Sequence, residues 1–406
     1  MRNLFGRLGV GTFILFFAAG AVTGASLDDR EALESYVDGL VGSLMKSNNS
    51  PSGTVAIMHR GELILSKGYG YQDVEQQVPV DPAKTLFRPG SVSKLFTWVS
   101  VMQLVEQGKL DLDVDVNDYL ESFQIRDSFD QPITLRHIMT HTAGFEDGAV
   151  GYLIIDDPEK ARPLAEAMER YQPARVNPPG KQTAYSNYAT AIAGLIVQTV
   201  SGQPFNDYVR EHIFEPLRMV DTHFVLPENK WPRLAQLYSP VGTEISWGKP
   251  WKLSASTDLE VADPELSRGY FDGSFFESGG AGLVSSTRDY LRFALMLLNE
   301  GELDGVRLLA PGTVRLLRSN HLQGIDSSEL RGLGGFGLGV GITLDPAAES
   351  GELVPAGTFG WGGAAGTLAW IDPDNGIVGV FMTQSVPHQT TLSRRFQVLS
   401  YQAFLR

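Results

Sequence analysis

Two pairs of strand-like segments at opposite ends of the chain constrain its fold more than any other feature. Thr54–His59 and Leu63–Tyr69, separated by Arg60-Gly61-Glu62, read as a hairpin that starts a sheet. Thr367–Ile371 and Ile377–Thr383 read as two further strands, joined by the turn Asp372-Pro373-Asp374-Asn375-Gly376. Between the pairs the spacing is mainly helical, at Thr134–Thr140, Pro163–Tyr171, Tyr188–Val200 and Phe205–Ile213, with later helices at Arg288–Leu298 and Thr313–Ser319. Amphipathic helices flank the strands, one through Leu33, Val37, Leu40, Val41 and Leu44, the other through Leu392, Phe396, Leu399 and Ala403. The simplest assembly is an α/β fold of the α+β type. In it a sheet domain built from residues 27–110 and 265–406 carries an inserted, mainly helical region, 111–264.

With 406 residues, 43% of them hydrophobic and 20% charged, the chain can bury two core regions. It holds no cysteine, so no disulfide framework, thiolate metal site or lipid-modified N-terminal cysteine is available. A formal net charge of −14 without any Lys/Arg run argues against a nucleic-acid partner. Arg2 and Arg7, the apolar run Leu8–Val22 and the small residues Thr23-Gly24-Ala25 predict a secretory signal over residues 1–25. The run is short for a membrane span, so the expectation is a periplasmic or secreted protein, membrane-attached only if the segment stays uncleaved.

Ser91-Val92-Ser93-Lys94 carries the chemistry. Residues i and i+3 of a helix share a face, so the Lys94 amine can reach the Ser91 hydroxyl, which is a poor nucleophile until a base adjoins it. The same spacing at Ser43/Lys46 and Ser246/Lys249 lies in surface-like contexts. Ser91 instead opens a strongly apolar helix, with Leu95, Trp98, Val99, Met102 and Val105 at helical spacing. The start of such a helix offers free N–H groups and a positive field, favouring an oxyanion and an unprotonated lysine.

Other patterns fail their own tests. Asp111, Asp113, Asp115 and Asn117 alternate as in a calcium loop, but Val116 occupies the glycine position and Ser122 the glutamate position. His137 and His141 stand i, i+4 apart with Ile138 where a metalloprotease needs glutamate, so they read as structural and no metal is expected. Gly332, Gly334 and Gly337 satisfy a dinucleotide fingerprint but lead into strand-like alternation, Gly335–Thr343. No Gly-x-Ser-x-Gly occurs.

Tyr185-Ser186-Asn187 follows the Asn177-Pro178-Pro179-Gly180 loop and precedes an apolar helix. A tyrosine at that corner can reach a cleft and move the Ser91 proton, while Asn187 can offer an amide to a substrate carbonyl. By itself the segment equally describes a packed tyrosine beside a helix cap. Gly360-Trp361-Gly362-Gly363-Ala364-Ala365-Gly366 lets a strand backbone approach a ligand closely, so that an N–H there could join that of Ser91 in an oxyanion hole; a tight strand entry with a buried Trp361 is the alternative.

Together these segments resemble the serine β-lactamase-related hydrolases, the class C β-lactamase and D-alanyl-D-alanine carboxypeptidase superfamily, and most nearly its family VIII carboxylesterases. The resemblance covers Ser52–Phe404 and includes Phe87–Thr97, His141-Thr142-Ala143-Gly144, Ser278–Leu283 and Trp361-Gly362-Gly363. It implies a penicillin-binding-protein-like fold with a mostly antiparallel sheet, and an active site between the sheet and the helical region. By that likeness Ser91 is the acylated nucleophile, Lys94 and Tyr185 handle its proton, Asn187 orients the substrate, and the N–H groups of Ser91 and Ala364 form the oxyanion hole. Trp361, Gly362 and Gly363 would line the substrate site; the substrate would be a small ester or amide, and no cofactor is called for.

One departure guides specificity. Carboxypeptidases and lactamases of this likeness carry Lys or His at the position of Trp361, where a cation helps to hold the substrate carboxylate. Indole offers one neutral N–H and an apolar face, which favours neutral acyl esters over anionic substrates. The expected activity is therefore a carboxylesterase. A D-alanyl-D-alanine carboxypeptidase, D-amino-acid peptidase or β-lactamase acting on peptidoglycan-type or β-lactam substrates is the alternative, if Arg88 or another arginine supplies the cation.

Overall fold

The computed structural model describes residues 26–149, 151–153, 162–244, 252–262, 279–327, 330, 334–346, 353–387 and 391–405. The expected signal segment, residues 1–25, lies outside them.

The main sheet has eight strands: β1 (Ser52–His59), β2 (Glu62–Asp73), β3 (Val78–Pro79), β4 (Gly335–Phe336), β5 (Gly341–Ile342), β6 (Phe359–Gly363), β7 (Thr367–Asp372) and β8 (Ile377–Thr383). Their order is β3-β2-β1-β8-β7-β6-β5-β4, and every neighbouring pair is antiparallel. The two sequence-predicted strand pairs thus meet along β1 and β8, from Gly53 opposite Thr383 to His59 opposite Ile377. Arg60 and Gly61 take positive φ in the first hairpin turn, and Asp372 accepts from Asn375 N (3.1 Å) in the second.

Alternation along the central strands sorts their side chains onto two cores. Val55, Ile57, Trp370, Ile377 and Phe381 face α1 (Arg30–Ser47) and the last described helix, Thr391–Phe404, where they pack with Leu33, Val37, Val41 and Phe396. Ala56, Ala369, Val378, Val380 and Met382 face the other way, into a larger core shared with α2 (Lys94–Glu106), α3 (Leu135–Met139), α4 (Leu164–Arg170), α5 (Asn187–Ser201), α6 (Phe205–Val209) and α7 (Thr287–Leu298). A short α8 (Pro311–Leu317) precedes β4, and Thr391–Phe404 is α9. Although α2 follows directly from the first strands, its buried face packs on α5 of the helical block.

Two expectations change in detail. The helix expected over Phe205–Ile213 is α-helical only to Val209 and continues as a π-turn, Arg210–Phe214. The block expected to be all-helical also holds an antiparallel pair, Tyr238–Pro240 with Leu259–Val261, strands too short for their alternation to register in a sequence window.

Candidate active site

Ser91 sits in a 3-10 turn, Gly90–Ser93, and the α-helix begins only at Lys94. The tighter winding eclipses residues i and i+3, setting Lys94 over Ser91 more directly than the expected α-helix would. Gly90 has a positive φ of 60°, and a Cβ there would come within 3.0 Å of Ala364 N. A Cβ on Gly363 would come within 2.1 Å of Pro89 O, which accepts from Thr367 Oγ1 at 2.6 Å. Glycine on both sides is thus what lets the end of β6 lie against the Ser91 turn. Among the described residues no backbone carbonyl accepts from the Ala364 N–H beside that turn.

Lys94 is fully buried, its Nζ 2.6 Å from Asn187 Oδ1, 2.5 Å from Gly280 O and 3.2 Å from Ser91 Oγ. Desolvation pulls its pKa down to about 7, against the attraction of Asp147. The amide oxygen and the carbonyl can only accept. A neutral Lys94 amine therefore spends its two hydrogens on them and keeps its lone pair for the Ser91 hydroxyl. Tyr185 donates to the same Ser91 Oγ at 2.8 Å, and Lys94 Nζ lies 5.1 Å from the centre of the Tyr185 ring.

Above this cluster, Trp361 of β6 stacks on Tyr185 (centroids 6.0 Å apart) and on His141 (6.2 Å), while Phe336 of β4 meets the indole edge-on at 5.3 Å. Burial, with Lys94 nearby, drives the pKa of His141 down to about 3, so this wall is aromatic and uncharged near neutral pH. Gly362 lies half-buried beside it. Arg88 is buried, its Nη1 donating to Ala235 O (3.0 Å) and Gln384 Oε1 (3.3 Å). A cavity of about 230 Å³ opens next to Tyr185, with Phe145, Asp147, Val176, Asn177 and Gln182 among its walls.

The structure thus brings Ser91, Lys94, Tyr185 and Asn187 together and sets Trp361, Gly363 and Ala364 beside them. Asn187 differs from expectation: its Nδ2, offered in the sequence analysis to a substrate carbonyl, donates to Asp147 Oδ1 at 3.0 Å. The rejected motifs sit elsewhere. Asp115 caps the 3-10 turn Val116–Tyr119, Asp113 pairs with Arg136, and His137 closes a capping box with Thr134. Ser43 and Lys46 are exposed on α1, while Ser246/Lys249 and Gly332 lie outside the described residues. Among the described residues no cluster of three potential metal ligands forms.

A β-lactamase family profile matches residues 37–403. The chain belongs to the β-lactamase family. It is a serine hydrolase with the β-lactamase/penicillin-binding-protein-like fold. Esterase EstB of Burkholderia gladioli is 29% identical over 392 residues, spanning 90% of this chain and 95% of the esterase. Protein Rv1367c of Mycobacterium tuberculosis is 29% identical over 367 residues, 83% of this chain and 86% of its own. Among solved structures, EstCE1, described as a hydrolase with promiscuous acyltransferase activity, superposes with a TM-score of 0.73 at 25% identity, covering 92% of this chain and 98% of its own.

In this β-lactamase-family hydrolase, two participants in the Lys94 network escaped the sequence analysis. Gly280 contributes a backbone carbonyl, which has no side-chain signature, although its Ser278–Leu283 segment belongs to the resemblance. Asp147 contributes through Asn187, a relation only the folded chain reveals.

Proposed function

We propose that this hydrolase is a carboxylesterase that cleaves small neutral esters through an acyl-Ser91 intermediate. Neutral Lys94 takes the hydroxyl proton as Ser91 Oγ attacks the ester carbonyl carbon. Tyr185, already bonded to Ser91 Oγ, is placed to hand a proton to the departing alkoxide. The Ser91 and Ala364 N–H groups would receive the developing oxyanion. Tyr185, left as a phenolate by the first step, would then take a proton from the water that attacks the acyl carbon, and the Lys94 ammonium would return its proton to Ser91 Oγ as the acid departs. The observation that carries the ester reading is Trp361, stacked on Tyr185 and His141 in a wall without charge. The similarity to an esterase along nearly the whole chain supports it.

The test is rapid mixing of the mature protein with p-nitrophenyl acetate and butyrate. A burst of p-nitrophenol that vanishes in Ser91→Ala is expected; an active Ser91→Ala would refute the nucleophile. Turnover of nitrocefin or a D-Ala-D-Ala peptide at or above the ester rate would replace the ester reading with the lactamase or peptidase one. The basic and apolar character of residues 1–25 supports export to the periplasm or medium, and loss of that segment from the exported protein is what mass spectrometry should find.

A further inference from the structure

Asn187 touches both ends of a short chain of contacts. Its Oδ1 accepts from Lys94 Nζ at 2.6 Å, while its backbone N and its Nδ2 both donate to one carboxylate oxygen, Asp147 Oδ1, each at 3.0 Å. A carboxylate only accepts, so it can hold nothing but the NH₂ end of the amide, and the oxygen must then turn inward to Lys94. A flipped amide would set NH₂ against the amine and a carbonyl oxygen against the carboxylate. Inward orientation in turn takes up one Lys94 hydrogen and leaves the lone pair for Ser91. We propose that Asp147 is the positioning residue of this site, fixing the Asn187 amide and through it the direction of Lys94, while its charge acts on Lys94 directly.

The surroundings isolate the effect. The groups that face Lys94 are Ser91 at the turn before its own helix, His141 and Asp147 from the 141–147 stretch, Tyr185 and Asn187 from the start of α5, and the carbonyl of Gly280. Among the described residues that face Lys94, only Asp147 brings a negative charge, and its attraction opposes the desolvation of Lys94. His141 is neutral over the working range, held so by burial. Asp147 itself borders solvent and the 230 Å³ cavity, although the protein around its carboxyl still raises its pKa through desolvation, countered by the Asn187 N–H groups and by Lys94. A surface-bordering carboxylate can be replaced with little damage to the fold.

This inference rests on Ser91 being the nucleophile and Lys94 its base, so the experiment reads Ser91 activation without choosing a substrate. The second-order rate of inactivation by a fluorophosphonate is followed from pH 5 to 9 for the wild type, Ser91→Ala, Asp147→Asn and Asp147→Ala, with a thermal melt of each. Asp147→Asn keeps an acceptor oxygen for Asn187 and removes the charge. Its acid limb should therefore move to lower pH while the plateau stays within about threefold of the wild type. Asp147→Ala removes the acceptor as well, and its plateau should fall by about 10- to 100-fold through misplacement of the base. An unmoved limb in Asp147→Asn together with a full plateau in Asp147→Ala would overturn the role of Asp147 and leave the nucleophile assignment standing. Labelling of Ser91→Ala, or none of the wild type, would overturn the nucleophile reading instead.

Discussion

In the proposed mechanism Lys94 serves as a base because burial strips it of water, against the attraction of Asp147. With its pKa near 7, an ammonium dominates below neutrality and spends all three N–H bonds on Asn187, Gly280 and Ser91, leaving nothing to accept a proton. The kcat/KM for p-nitrophenyl butyrate should therefore fall with falling pH along a single limb centred near 7; a limb near 5 would exclude Lys94 as the titrating base. His141 gives a separate signature. Its pKa, about 3 in the fold against 6.5 for an ordinary histidine, means that the unfolded chain binds the extra proton, so its contribution is full above pH 6.5 and is lost as pH falls toward 3. His141→Asn, whose side chain tolerates the left-handed φ of 53° found there, should show a shallower loss of Tm across that window. Trp361→Lys should raise the ratio of nitrocefin to butyrate-ester turnover by about tenfold, the worth of one charge-assisted hydrogen bond. An unchanged ratio would show that the indole does not set substrate charge. At this scale the side chains with reactive chemistry were legible in sequence, whereas the Gly280 carbonyl and Asp147 were not: one is backbone and the other acts through a neighbour.

The elements were legible where their periodicity was strong. β1, β2, β7, β8, α1, α5 and α7 fall within a few residues of where alternation, turn chemistry or helical spacing puts them. The strand-like alternation of Gly335–Thr343 holds β4 and β5, folded back on each other as two short strands, whereas two-residue β3 was not legible, since its pairing comes from a neighbour already in place and not from any local preference. The contact that matters most for chemistry joins two elements, β6 and the 3-10 turn of Ser91. Gly363→Ala drives a methyl into Pro89 O, and β6 must back away from the turn to relieve it. Expected are a fall of about 10- to 100-fold in kcat on p-nitrophenyl butyrate and only a small drop in Tm. Full activity in this variant would mean that β6 need not touch the turn.

Over the whole molecule, one sheet separates two cores of different kinds. The larger packs the helices that hold Ser91, Lys94 and Asn187; the smaller clamps α1 against α9, with Tyr36 donating to Leu399 O at 2.8 Å. Phe396 is fully buried in the smaller core, stacked on Phe381 at 5.0 Å. Phe396→Ala should cost about 3–5 kcal/mol in urea unfolding and yet leave kcat nearly unchanged in the molecules that remain folded. A selective loss of kcat would mean that the two cores communicate across the sheet.

The pairing of β1 with β8 also bears on timing. Strand β1 and the Ser91 turn leave the ribosome long before β6, with Ala364, and β8, which bridges the halves of the sheet. Until β6 is made, a growing chain therefore carries its serine and lysine without the wall that faces them. The site is therefore not assembled until the long-range strand pairing, the slow step for such a topology, is complete.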